Sequence, residues 1–204
     1  MKQNQNMCII GNDILLIPYK AKHVPKYHDW MKSEELQKLT ASEPLTLEEE
    51  YSMQQAWAED ADKCTFIILS KEDYNVIHDE ASIEEEAMAG DVNIFFNDPD
   101  EKSSAELEIM IAEKRYRKKG LGKEALLAMM KYGIDELNVS VYTVKIGFDN
   151  NISLNMFTKL GFSEVSKSEV FKEVTLQLDI NEDFLKYLDA KTEHLKIVEY
   201  PTEH

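Results

Sequence analysis

Lys114, Arg115, Arg117, Lys118, Lys119 and Lys123 surround Gly120-Leu121-Gly122 in a chain whose formal net charge is -16. Just before this basic stretch, Ala105-Glu106-Leu107-Glu108-Ile109-Met110-Ile111 alternates like a strand. After it, Leu126, Met129, Met130, Ile134 and Leu137 recur at helical spacing. The glycines therefore occupy a strand-to-helix turn. A helix start exposes unpaired N–H groups and the positive end of the helix dipole. Glycines that admit a close ligand, flanked by cations, then suit a phosphate or pyrophosphate. The plainer alternative is that Gly120 and Gly122 only open the helix and the lysines are solvated.

Elsewhere the acidic surface repels phosphate backbones, so no nucleic-acid partner is expected, and the local basic patch fits one small anion. With 204 residues, 43% hydrophobic and 30% charged, the chain suits one compact domain with appendages, assigned to residues 9–178 with a C-terminal helix and tail over 179–204. No run approaches the roughly 18 apolar residues of a membrane span. The first six residues lack an apolar segment behind a basic start. The expectation is a cytoplasmic protein with no membrane partner. Cys8 and Cys64 have no metal-type spacing and read as ordinary thiols, so no metal is expected.

In chain order, Cys8-Ile9-Ile10 and Ile14-Leu15-Leu16-Ile17 flank a Gly11-Asn12-Asp13 turn, behind a mobile tail of six residues. Tyr27, Trp30, Met31, Leu36 and Leu39 are spaced for one helix beginning at or after Pro25. Thr46 and Glu49 form a capping box for the next helix, which runs to about Trp57. A strand over 64–69 precedes an acidic segment, 70–87, expected to be a solvated excursion that includes His78. Strands over 88–96 and 105–111 should pair antiparallel. A strand over 139–146, a short helix over 151–160 closed by Gly161, and a final strand over 170–178 follow. Asn181 should cap a surface helix reaching about Leu195, with 197–204 as a tail.

Gly120, Gly122 and Ala125 also satisfy the G-x-G-x-x-A form of the dinucleotide fingerprint, with Asp149 loosely placed downstream. That fingerprint should follow its strand directly and open a parallel βαβ series, whereas here residues 113–119 intervene after two strands in hairpin order. A second pattern, Asn150-x-x-Ser153-x-x-x-Phe157-x-x-x-Gly161-Phe162, follows Arg117-x-x-Gly120-x-Gly122. In that order the two patterns resemble the GNAT superfamily of acyl-CoA-dependent N-acetyltransferases. The resemblance implies an α/β fold: a mixed, mostly antiparallel sheet with splayed central parallel strands and flanking helices. Stretches 30–36, 39–48 and 60–67 are similar to the N-acetyltransferase 9-like family, which is associated with acetylating the N-termini of α- and β-tubulin.

The resemblance implies acetyl-CoA as cosubstrate and a protein N-terminal amine, tubulin among the candidates, as acceptor. Backbone of Ile109, Met110 and Ile111 would hold the pantetheine arm, with the N–H of Ile109 or a neighbour as oxyanion donor. N–H groups of Lys118, Lys119, Gly120, Leu121, Gly122 and Lys123 would surround the pyrophosphate, with charge from Arg117 and Lys123. Asn150, Ser153 and Phe157 would line the other side. Glu106 and Glu108 lie two apart and share one strand face, which makes them the candidate bases, Glu108 the favoured one. The alternative for each is a half-exposed strand residue or an ion pair with Lys or Arg. Many relatives place a tyrosine acid where Phe157 stands, and some ribosomal N-terminal acetyltransferases place a carboxylate where Lys145 stands, so neither route is open. Glu34 and Glu35 are read as a solvated helix end or a contact for a basic acceptor residue. A small amine or polyamine acceptor, or a catalytically weak cytoskeleton-binding protein of the same fold, are the rival functions.

Overall fold

Apolar runs on either side of Gly11-Asn12-Asp13 make an antiparallel hairpin, β1 (Met7–Ile10) and β2 (Ile14–Pro18). A computed structural model describes residues 2–77, 79, 82–98 and 100–201. The residues ahead of β1 are not a loose tail: Asn4 is buried and its Nδ2 donates to the Thr65 carbonyl at 2.8 Å. The single helix expected from Pro25 is two, α1 (Val24–Met31) and α2 (Glu34–Thr40). Ser33 makes the break, because its Oγ accepts from the N–H of Leu36 at 3.4 Å and starts a new helix. α3 (Leu47–Glu59) begins on the expected capping box: Glu49 N donates to Thr46 Oγ1 at 3.3 Å and Thr46 N donates to Glu49 Oε2 at 2.8 Å.

β3 (Lys63–Ser70) leads into two short helices, α4 (Lys71–Val76) and α5 (Ile83–Ala87), then β4 (Met88–Phe95) and β5 (Ser104–Ile111). The acidic segment is not simply solvated. The Tyr116 hydroxyl donates to Asp73, and Glu84 accepts from the Tyr200 hydroxyl at 2.9 Å and meets His23 Nε2 at 2.8 Å. His78 lies outside the described residues. After the basic turn come α6 (Leu121–Leu137), β6 (Val141–Gly147) and α7 (Asn151–Lys159), then β7 (Ser163–Ser168) and β8 (Glu173–Asp179). α8 (Glu182–Thr192) starts on Asn181, whose Oδ1 accepts from Phe184 N at 2.9 Å, and β9 (Lys196–Glu199) is the last element among the described residues.

β7 is a strand without apolar alternation, made by pairing with β8 at the sheet's rim. Val170 and Phe171 lie in the turn before β8, 85% and 76% exposed, so the strand starts at Glu173. The expected tail instead supplies β9, which pairs with β1 from Met7↔Glu199 to Ile10↔Lys196.

The strands form one sheet in the order β7-β8-β6-β5-β4-β3-β2-β1-β9. Alternate residues feed two apolar layers. Phe66, Ile94 and Leu107 pack with Met129, Met130 and Leu188 of α6 and α8, and Ile67 and Leu69 pack with Tyr27, Trp30 and Leu36 of α1 and α2. Each fully buried side chain of this kind contributes about 1.5–3 kcal/mol, against about 1 kcal/mol for a helix cap. The layers therefore decide where the sheet sits. Among the described residues, no helix is long and apolar enough to cross a membrane.

Among the described residues, β5 and β6 are the parallel neighbours, and their register covers only Ser104↔Val141, Ala105↔Tyr142 and Glu106↔Thr143. β5 stays with β4 as far as Gly90↔Ile111. At Gly90 a Cβ would lie 1.8 Å from the Met110 carbonyl oxygen, so the two backbones approach as only glycine permits. Gly90→Ala should lower stability by about 2 kcal/mol or more, read by denaturant unfolding. A loss under about 0.5 kcal/mol would show that the strands do not need this approach.

Candidate active site

Beyond Glu106 the two parallel strands separate and leave a cleft of about 470 Å³. Residues 106–110 of β5 form one wall and residues 144–147 of β6 the other, with Asn150, Ser153 and Phe157 beside it. Backbone groups on the freed side of β5 have lost their strand partner there and can bind an extended ligand. Asn150 starts α7 by accepting the Ser153 N–H at 3.2 Å. Phe157 is buried and sits edge-on to Phe162, ring centroids 5.1 Å apart, so it offers an apolar wall and no proton.

At the end of β5 the basic turn enters α6 through two left-handed residues, Lys118 at φ +62° and Gly120 at φ +97°. Gly120 occupies the cap position without a side-chain cap. The N–H groups of Leu121, Gly122 and Lys123 lie in a first turn that has no intrahelical acceptors for them. Lys118, Lys119 and Lys123 are exposed around them. Gly122 sits against β5, a Cβ there lying 3.2 Å from Ile111 Cγ1. These features fit a pyrophosphate. Arg117 is engaged otherwise: its Nε donates to the Ile111 carbonyl at 2.9 Å, Nη2 to Ala112 at 3.2 Å, and Nη1 to Glu35. It ties the turn to β5. Glu35 is an exposed residue at the helix start, as expected, and it is ion-paired: it also meets Lys114 at 3.1 Å, and the bonds from Arg117 and Lys114 hold its carboxyl below the usual range.

The two candidate bases separate on their contacts. Glu106 Oε2 accepts from Lys145 Nζ and from Asn97 Nδ2, both at 2.7 Å, and so braces the fork where β5 and β6 part. Glu108 points into the cleft. Its side chain is exposed to water in the cleft, and the desolvation there still pushes its carboxyl up to about 7. Lys63 pulls it down, Asp91 and Glu106 push it up, and Lys145 pulls it down more weakly. A carboxylate poised near neutrality in a cleft is a candidate base.

Several cleft residues were not anticipated from the sequence. Asp91 and Asn93 share the face of Glu108, since Asp91 pairs with Met110 and Asn93 with Glu108. Asn93 Nδ2 donates to Asp91 Oδ2 at 2.7 Å, and Thr65 Oγ1 donates to Asn93 Oδ1 at 2.5 Å. Burial pushes Asp91 up to about 6, against the hydrogen bond from Asn93 and the charge of Lys63. The Lys63 ammonium lies 3.4 Å from the Trp57 ring centroid and 3.5 Å from that of Phe95, and burial lowers it to about 8. The available signal was polar Asp91 and Asn93 alternating with apolar Val92 and Ile94, opposite the alternating Glu106 and Glu108.

The family described as "Acetyltransferase (GNAT) domain" matches residues 13–163. The N-acetyltransferase 9-like protein of Nematostella vectensis is 59% identical over 181 residues, covering 89% of this chain and 90% of that protein. The alpha/beta-tubulin-N-acetyltransferase 9 of Homo sapiens is 50% identical over 197 residues, covering 96% and 94%. Among solved structures, a ribosomal alpha-N-protein acetyltransferase in complex with coenzyme A superposes at TM-score 0.65 with 14% identity, covering 84% of this chain and 96% of that one. The turn at Gly120, the parted strands and these likenesses lead to one conclusion: the chain belongs to the GNAT acetyltransferase family, in its N-acetyltransferase 9-like branch, and is an acetyl-CoA-dependent acyltransferase.

Proposed function

We propose that the protein acetylates a primary amine, the α-amine of a protein N-terminus, with α- and β-tubulin as the acceptors. The single observation that carries the reaction is the place of Glu108, on the wall of the cleft between β5 and β6 and on the same face as Asp91 and Asn93. The acceptor assignment is supported by the names of relatives at 47% to 50% identity. A cytoplasmic location accompanies that acceptor.

Acetyl-CoA supplies an acyl group activated as a thioester. N–H groups from Lys118 to Lys123, with the exposed lysines, would hold its pyrophosphate. Backbone of Ile109, Met110 and Ile111 would hold the pantetheine arm, with Asn150, Ser153 and Phe157 on the facing side. Glu108 would accept the proton of the attacking amine, directly or through water, as the new C–N bond forms and the C–S bond breaks. The Ile109 N–H would donate to the acyl oxygen as it gains charge. Phe157 has no proton to give, so the sulfur leaves as thiolate or takes a proton from water.

The reaction is tested by incubating the pure protein with labelled acetyl-CoA, tubulin N-terminal peptides and polyamines, then locating the label by mass spectrometry. Label on peptide α-amines is expected. Label on polyamines alone would overturn the protein acceptor, and acetyl-CoA binding without transfer would point to a cytoskeleton-binding protein.

Glu108→Gln should lower kcat by about 100-fold or more, with CoA affinity within about twofold. Only the ionised carboxylate accepts a proton, so wild-type kcat/KM should rise as pH increases through about 7. The variant should lose this limb and keep only the titration of the acceptor amine near about 8. An unchanged profile would remove Glu108 from the base role. Gly122→Val should weaken CoA binding by about tenfold or more, because its side chain would press on Ile111 and Ile109 and push the first turn of α6 away from β5. Undiminished CoA binding would move the phosphate site elsewhere.

A further inference from the structure

We infer that Asp91 grips the ammonium group of the acceptor and presents it to Glu108, so that the recess admits only an unsubstituted primary amine. The inference rests on the proposed transfer to an amine and adds the group that binds it.

Asp91 is 2% exposed, yet it lines the cleft together with Tyr27, Trp57, Asn93 and Glu108. Its Oδ2 takes the Asn93 amide and the Tyr27 hydroxyl also favours its charged form, while its buried Oδ1 keeps no well-aligned hydrogen-bond partner among the described residues. A buried carboxylate with an oxygen left unsatisfied costs a fold stability. An ammonium group brings three donors and a positive charge to that oxygen.

The charges around the recess ask for a cation. Lys63 faces it from β3, Glu108 from β5, and Tyr27 from α1. Glu50 of α3 and Tyr19 lie behind Tyr27, and burial keeps the Glu50 carboxyl above its usual range. Glu106 is held by Lys145. One ammonium, Lys63, faces Asp91 and Glu108 and also feels Asp60, so the carboxylates outnumber it when they are ionised. The rings of Tyr27 and Trp57 add walls that a cation tolerates better than an anion.

The register gives the geometry. Asp91 pairs with Met110 and Asn93 with Glu108, so Asp91 and Glu108 are diagonal neighbours on one face, with roughly 7–8 Å between such positions. A nitrogen held at Asp91 Oδ1 is then near the carboxylate that takes its proton. An acetylated or otherwise blocked amine lacks the charge and the donors to hold that place.

The test is calorimetric binding to the CoA-loaded protein of two probes, tubulin N-terminal peptides and spermidine, each with free and with acetylated amines. The wild type should bind at least one free-amine probe about tenfold or more tightly than its acetylated twin. Asp91→Asn should reduce that preference to about twofold or less, leave CoA affinity unchanged, and raise KM for the amine more than it lowers kcat. Should Asp91→Asn fail to fold, the preference is followed in Glu108→Gln instead, where it should vanish as pH falls through about 6. A wild type that binds neither probe or makes no distinction, an Asp91→Asn variant that keeps the preference, or a preference that persists below that pH, overturns the inference. Failure of acetyl transfer would sink the proposed reaction alone, because the binding comparison does not depend on turnover.

Discussion

Strand β5 has two neighbours and keeps only one of them. It pairs with β4 to Ile111, held there by the close approach at Gly90, but with β6 only to Glu106. A strand cannot follow both partners once they part, and the hydrogen-bonding edge it leaves behind is open to another extended chain. The Glu106–Lys145 pair stands where the strands part. The basic turn follows β5 directly and is tied to its end by Arg117. The same divergence thus opens the cleft between residues 106–110 and 144–147.

On one face, the sheet next to this gap breaks the apolar pattern. Lys63, Thr65, Asp91, Asn93 and Glu108 sit where the neighbouring positions are Ile67, Leu69 and other apolar residues. Such a polar strip weakens the layer it interrupts, because each buried polar group must find a partner or shift its titration. Asp91 rises and Lys63 falls for the same reason, burial, and the exposed Glu108 beside them is raised as well. Local violation of the core pattern at a cleft is what a reactive site looks like. The layer on the α6 side, from Phe66 to Leu188, keeps its apolar pattern and supports the strip from behind.

Much of this was readable from residue order. Gly120 and Gly122 after an alternating strand, Thr46 with Glu49, Asn150, Gly161 and Asn181 are local signals, and each acts within a few residues of itself. Glu108 was readable because alternation alone places it beside Glu106 on one face. What local order does not contain is pairing. β7 is Ser-Glu-Val-Ser-Lys-Ser, a strand only because β8 lies beside it, and β9 is made by β1 at the opposite end of the chain. Ser33 splits a continuous helical pattern by a side-chain bond worth about 1 kcal/mol, too small to outweigh the spacing of Trp30 and Leu36 when read alone. Asp91 and Lys63 become site residues only when β3, β4 and β5 are laid side by side. Arg117 looked like a phosphate ligand by position, and its three acceptors could be known only once Glu35 and the end of β5 were brought to it.

A crystal structure with a conjugate joining CoA to a tubulin N-terminal peptide tests the central claim, that the gap between β5 and β6 is where acyl group and amine meet. The account predicts the pyrophosphate on the N–H groups at the start of α6, the pantetheine arm along residues 109–111, and the joined nitrogen beside Glu108. A conjugate bound outside the gap, with the two strands' freed edges untouched, would contradict it.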